Sequence, residues 1–340
     1  MTFRTRLLPL AGIAVMSAVA LTACAAPASD SGAGDDAVSI ALVRQLGSGD
    51  YFELWLQGAQ TQADELGVDL SVYNANGDDA QQALDLESAI NDGVDAIALD
   101  HGFTETIDPG VTAALDADIP VVAFDAEVTD ERAVVVGQSD SALAGQVLGK
   151  LVDDTAGRAD VLYVYVAGFA PLDRRNAVWE DVKAENPGLN QVAQIGVVND
   201  NTASEVADQA KASLQANPGV TAVFAPFDEF AKGVTLAINE LGLQDTVKVY
   251  GADISTADIE VLTADGSPWV ATAATDPSNV GAVTIRAAYL AATGGELASP
   301  IEVEPTLLTS DDLVAKDVAT IDDLTTAFPE LSTPDVAAVN

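Results

Sequence analysis

From residue 38 onward, short apolar runs rich in β-branched residues alternate with stretches whose apolar positions recur every three or four residues. The runs are Val38–Val43, Val68–Tyr73, Val94–Leu99, Pro120–Phe124, Val161–Val166, Gln191–Val198, Val220–Phe224, Val247–Tyr250 and Val270–Ala274. They are continuous rather than alternating, as expected of strands buried on both faces of a parallel sheet. Between them lie amphipathic helices. Phe52, Trp55, Ala59, Ala63 and Leu66 form one stripe, with Glu53, Gln57, Gln60 and Asp64 off it, and Gly67 stands where that helix should stop. Asp108-Pro109 reads as an N-cap followed by proline at the first helical position. This βαβα rhythm predicts an α/β fold with parallel sheets. No longer repeat of the kind that builds solenoids is visible.

The first residues follow another pattern. Arg4 and Arg6 precede an almost wholly apolar or small stretch, Leu7 to Leu21, which suits an export signal and is short for a membrane span. It ends in Leu21-Thr22-Ala23-Cys24, which resembles the bacterial lipobox. That resemblance implies cleavage after residue 23 and lipidation of Cys24. Residues 25–36, rich in Ala, Ser, Gly and Asp, have no apolar periodicity and read as a flexible tether. Cys24 is the only cysteine, so no intrachain disulfide and no cysteine-based zinc cluster is expected.

Length and charge narrow the function classes. The 340 residues suffice for two ordinary domains. The chain has 14 Lys and Arg against 53 Asp and Glu, a formal charge of −39. A nucleic-acid binder needs the opposite sign, so that class is excluded.

Five carboxylates stand at or just past the C-terminal ends of expected strands: Asp100, Asp125, Asp228, Asp253 and Asp276. Ligands of open parallel sheets bind outside those ends. Asp also caps helices that begin there, and Asp228 and Asp276 lie beside helix starts. Asp125 is different, because Ala126-Glu127-Val128 does not open a helix.

Other signals carry less. His101, the only histidine, follows Asp100 and can reach the rim of a pocket there. Without a second His or a cysteine nucleophile, His-based triads and common zinc sites lack parts. No nucleophile elbow or phosphate loop is present, and Gly47-Ser48-Gly49 lacks the third glycine of a dinucleotide fingerprint. Asn76-Gly77-Asp78-Asp79 has the composition but not the spacing of a calcium loop. No cofactor and no metal is expected. Trp55, Trp179 and Trp269 read as core.

Ile40 to Val43 with Tyr51-Phe52 and Gln57-Gly58-Ala59-Gln60, then Ile119 to Asp125, Gly137-Gln138-Ser139-Asp140, Ala222 to Ala225 with Asp228-Glu229, and Gly251-Ala252-Asp253 stand in an order that resembles the ribose/galactose-type (type I) periplasmic sugar-binding proteins of ABC importers. The likeness spans roughly residues 38–308. It implies two Rossmann-like domains joined by three crossing strands, near Gln138, Thr275 and Glu304, that close on ligand like a hinge. The expected divisions are signal 1–23, lipidated Cys and tether 24–36, N-terminal domain 37–138 plus 276–304, and C-terminal domain 139–275 plus 305–340.

By the same likeness Tyr51 and Phe52 match the aromatic pair that packs on a sugar ring, Asp125 and Asp253 match hydroxyl-accepting carboxylates, and Arg175 matches a donating arginine, with Arg174 its rival. Carboxylates accept from hydroxyls and a guanidinium fork donates to them, in charge-assisted bonds stronger than neutral ones. The chain also departs from the ribose-type pattern. Asp100 replaces Asn, Ala126 an Arg, Phe227 an Asn, Thr275 a Gln, and Asn201 an aromatic. The expected ligand-binding set is therefore Tyr51, Phe52, Asp100, His101, Asp125, Arg175, Asn201, Phe227, Asp228, Asp253 and Thr275. Fewer donors and more acceptors suit a neutral polyhydroxylated ligand, a sugar or polyol. They disfavour sugar acids and phosphates and leave an amine-bearing ligand open.

The resemblance implies an exported, lipid-anchored, monomeric solute-binding protein that meets an ABC permease and is not an enzyme. A sensor feeding a receptor and a glycosidase using two of the aspartates are the alternatives.

Overall fold

The computed structural model describes residues 37–339. In chain order the elements are β1 (Ser39–Arg44), α1 (Asp50–Leu66), β2 (Asp69–Asn74), α2 (Asp79–Asp92), β3 (Ala96–Asp100), α3 (Thr104–Asp116), β4 (Val121–Phe124), β5 (Val134–Gly137), α4 (Asp140–Thr155), β6 (Arg158–Val164), α5 (Ala170–Glu185), β7 (Gly188–Ile195), α6 (Thr202–Ala216), β8 (Val220–Ala225), α7 (Asp228–Leu241), β9 (Lys248–Ala252), α8 (Thr256–Thr263), β10 (Trp269–Ala274), α9 (Pro277–Thr293), β11 (Ile301–Glu302), β12 (Thr306–Thr309), α10 (Ser310–Ala315) and α11 (Ile321–Ala327).

The strands form two six-stranded sheets, β11-β5-β4-β3-β1-β2 and β12-β10-β9-β8-β6-β7. The first is parallel throughout, and the second is parallel except for β12, which runs antiparallel to β10. Each sheet is packed on both faces. In β1, Ile40 and Leu42 join the core under α1 and α9, whereas Ala41 and Val43 join Leu86, Ile107 and Val111 of α2 and α3. In β8, Val223 and Ala225 face α6 and α7, and Ala222 and Phe224 face α4 and the Trp179 of α5. Two apolar faces explain why these strands read as unbroken apolar runs.

Three strands escaped the apolar pattern, namely β5, β11 and β12. They have four, two and four residues, too short for a period to register, and they are held by pairing with longer neighbours. The Asp108-Pro109 signature is a correction. The helix begins at Thr104, and Pro109 lies inside it. Asp108 instead binds the amide and hydroxyl of Thr129, at 3.0 and 2.5 Å, tying α3 to the loop after β4.

The chain passes between lobes after β5, after β10 and between β11 and β12. The C-terminal segment makes a further passage, which differs from the expectation that 305–340 belongs to one lobe. Leu324, Phe328 and Leu331 sit in the second lobe's core, but Val336 and Ala337 pack against the first. Arg286 of α9 draws them there by donating to the carbonyls of Thr333 and Val336.

Candidate functional site: a closed cleft between the lobes

The C-terminal ends of the strands of both sheets face one cavity. From the first lobe come Leu46, Tyr51, Phe52, His101 and Asp125, with Gln138 at the crossing. From the second come Phe169, Pro171, Leu172, Arg175, Val198, Phe227 and Asp253.

His101, Asp125 and Asp253 share a backbone feature. Each follows a strand directly and adopts positive φ, at 61°, 45° and 66°. That region is uncommon for residues with a Cβ, though Asp and His enter it more readily than most. It turns the chain sharply out of the sheet, and such strain gathers at functional sites.

A charged network fixes the polar end. Arg175, 2 % exposed, clamps Asp253 through two bonds of 2.9 and 3.1 Å, donates to the Pro226 carbonyl at 2.8 Å and to Asp140 at 2.7 Å. Arg174 binds the other oxygen of Asp140 at 2.8 Å and reaches across the cleft to Asp125 at 3.1 Å. Gln138 donates to the second oxygen of Asp125 at 3.1 Å and accepts from Thr275 at 2.7 Å. Asp100 takes Nε of Arg44 at 2.8 Å and lies 2.7 Å from Nδ1 of His101.

The titration behaviour follows from this arrangement. Burial and the nearby Asp140 push Asp125 up to about 6, against the pull of His101, Arg174 and Arg175. Burial also raises Asp253, although Arg175 opposes it. Burial works against charge on Asp100 and His101, but their mutual hydrogen bond and attraction win, helped for Asp100 by Arg44, so Asp100 is lowered and His101 raised. Burial, with the carboxylates Asp253 and Asp125 nearby, holds the Tyr51 hydroxyl well above its usual range. Among the described residues that hydroxyl has no hydrogen-bond partner.

The remaining expected residues lie elsewhere. Asp100 stands behind His101, fully buried, and positions it rather than lining the cavity. Thr275 supports Gln138 from the hinge. Asn201 is exposed as the residue before α6, and Val198 lines the cavity from that loop instead. Asp228 begins α7 and is buried beside Asp258 and Lys232, away from the cavity. Asp276 caps α9 through the Ser278 amide. Both rival arginines enter the network, Arg175 on the lining and Arg174 across the cleft.

Sequence reasoning missed the apolar half of the cavity, formed by Leu46, Phe169, Pro171, Leu172 and Val198. Nothing in their local pattern separates them from core residues. The paired arginines and Asp140 were legible as charges, but not as a bridge.

Two facing α/β lobes whose strand ends meet at a buried, mixed polar and apolar cavity define a cleft-type binding protein. The chain belongs to the periplasmic binding protein domain family, whose sequence model matches residues 40–296. Its fold is similar to the crystal structure of the solute-binding protein of a 5-methylthioribose transporter from Thermotoga lettingae in complex with 5-methylthioribose. The TM-score is 0.85 and the identity 42%, over 86% of this chain and 93% of that one. It is 29% identical over 252 residues to the ribose import binding protein of Salmonella typhimurium, covering 74% of this chain and 83% of the relative. It is 26% identical to a xylitol-binding protein of Mycolicibacterium smegmatis, covering 72% and 70%.

Proposed function

We propose that this chain is an extracytoplasmic solute-binding protein that captures a pentose carrying an apolar substituent at C5, with 5-methylthioribose as the reference ligand, and presents it to an ABC permease. The observation that carries this reading is the division of the cavity. Asp125, Asp253, Arg175 and Gln138 belong to the hydrogen-bonded network around Arg174 and Asp140, while Leu46, Phe52, Val198 and Phe227 line the cavity where it adjoins a neighbouring space. The polar end suits ring hydroxyls, with Asp125 and Asp253 accepting and Arg175 and Tyr51 donating. The apolar end suits a methylthio group, which a bare sugar leaves unmatched. The T. lettingae relative supports the same ligand.

Calorimetry with the soluble body, residues 37–340, tests this. 5-Methylthioribose should bind roughly tenfold or more tighter than ribose, because burying the methylthio group is worth about 1–2 kcal/mol. Equal affinity for ribose, or tighter binding of xylitol, would sink the thioether reading while leaving a sugar binder. Silence toward all three would remove both.

Anchoring belongs to the same proposal. Cys24 and the signal and tether before residue 37 lie outside the described residues. The four-residue motif ending at Cys24 supports diacylation, and two chains hold a protein at a membrane where one does not. Among the described residues no helix is long and apolar enough to cross a membrane. Labelled palmitate should enter the full chain and not its Cys24→Ala variant. We take the working form to be a monomer that binds without catalysis.

A further inference from the structure

A second, smaller chamber adjoins the first. The two share Leu46, Phe52, Val198 and Phe227, so an apolar neck joins them. None of the polar groups that hold the sugar end reaches this chamber. Beyond the neck its walls are Ser48, Gly49, Asn199, Asp200, Thr202 and Glu229.

Two features make it a built space. Ser48 of the first lobe donates to Asp200 of the second at 2.7 Å, so closure of the lobes completes its outer wall. Gly49 has a φ of 108°, a conformation that residues with a Cβ rarely adopt, so this part of the wall is bare backbone.

The charge around it is net acidic. Asp200 and Glu229 line the chamber and Asp50 flanks it; Lys232 is shared between Asp50 and Glu229, so the carboxylates outnumber the cation. Negative potential in a semi-enclosed space favours a cation and rejects an anion.

We propose that this chamber is a subsite for the distal part of a C5 thioether longer than methyl, ending in a neutral or cationic group. The inference rests on the thiopentose reading above and extends it. The protein serves 5-S-alkyl and 5-S-aminoalkyl pentoses as a class, with the sulfur at the neck and the chain end beyond it. A ligand ending in a carboxylate is excluded.

The test is calorimetry at neutral pH on the body spanning residues 37–340 with four probes, the 5-S-methyl, 5-S-propyl, 5-S-(3-aminopropyl) and 5-S-(2-carboxyethyl) thioriboses. The propyl compound should bind within about threefold of the methyl one, since its added methylenes leave water for the neck. The aminopropyl compound should bind tighter than propyl, and the carboxyethyl compound about 30-fold or more weaker than propyl. In an Asp200→Asn, Glu229→Gln double variant the ratio between propyl and aminopropyl affinities should fall toward one. Tight binding of the methyl probe with loss of about 100-fold for both propyl and aminopropyl would overturn the subsite and leave the thiopentose reading standing. Failure of all four probes would overturn both together. Equal binding of aminopropyl and carboxyethyl would overturn the charge selection.

Discussion

At the residue scale, Asp125 is where charge, burial and ligand meet. Its carboxyl is raised to about 6 by burial and Asp140, and on the proposed function it accepts ligand hydroxyls when ionised. Affinity therefore falls as protons return. Titration of calorimetric affinity should show binding about tenfold weaker at pH 5 than at pH 7, and Asp125→Asn should flatten that dependence. The stability sign is opposite. A carboxyl raised above its unfolded value keeps its proton longer in the folded state, so folding is favoured below the unfolded pKa, and that contribution is lost as pH climbs toward about 6. Asp258, raised to about 6 by burial, contributes in the same sense. Asp258→Asn should reduce the loss of stability between about pH 4 and 6, read by urea denaturation.

Arg175 presents the other side of the same physics. Four of its five N–H groups are engaged by Asp253, Asp140 and the Pro226 carbonyl, which leaves one for a ligand. Removing it leaves the buried Asp253 uncompensated, while Asp140 keeps Arg174. Arg175→Met should cost about 3–5 kcal/mol in chemical denaturation as well as ligand affinity. Asp125→Asn should leave the fold intact. Asp125 and Asp253 were legible because they end apolar runs at the binding edge of a parallel sheet. Asp228 satisfied the same rule and went elsewhere, because α7 begins on it and its side chain turns under the helix toward Asp258.

At the scale of elements, α1 and α9 pack closer than ordinary helices. A Cβ on Gly58 would overlap the Ser278 carbonyl, and one on Gly281 would overlap the Trp55 carbonyl. These are backbone atoms and do not yield as a side-chain end would. Gly281→Ala should destabilise the body by about 2–3 kcal/mol despite its gain in helix propensity, measured as a lowered denaturation midpoint. The stripe of α1 was plain in the sequence, and Gly67 does end it in the left-handed conformation. Gly58, by contrast, reads only as a neutral helical position until α9 is brought against it from more than two hundred residues away. The start of α3 was misread for a related reason. Asp108 has a tertiary partner in Thr129, and a local capping rule has no access to it.

At the scale of the molecule, links between lobes ring the cleft in this closed form. Arg174 meets Asp125 and Glu127, Lys232 meets Asp50, and Ser48 meets Asp200. Lys232 also neutralises the buried Asp228 and Asp258, so its first-lobe partner is the cleaner probe, and Asp50→Asn should act mainly through closure. It should speed ligand dissociation by about two- to tenfold with a smaller effect on association, in stopped-flow measurement. The last residues add a passage beside the three crossings, anchored to α9 by Arg286.

The sequence by itself determined the α/β class with parallel sheets, nine of the strands, the order of those elements and the carboxylates at the strand ends. Those features follow from local periodicity and from the direction of parallel strands, which any stretch of chain displays. The tertiary structure decided which carboxylates face the cavity, that Asp140 joins both arginines, and that apolar side chains of the cavity are shared with a second chamber. Each of these depends on side chains from separate lobes meeting across a gap. Whether Leu46 or Val198 lies in core or cleft is settled only when the other lobe arrives.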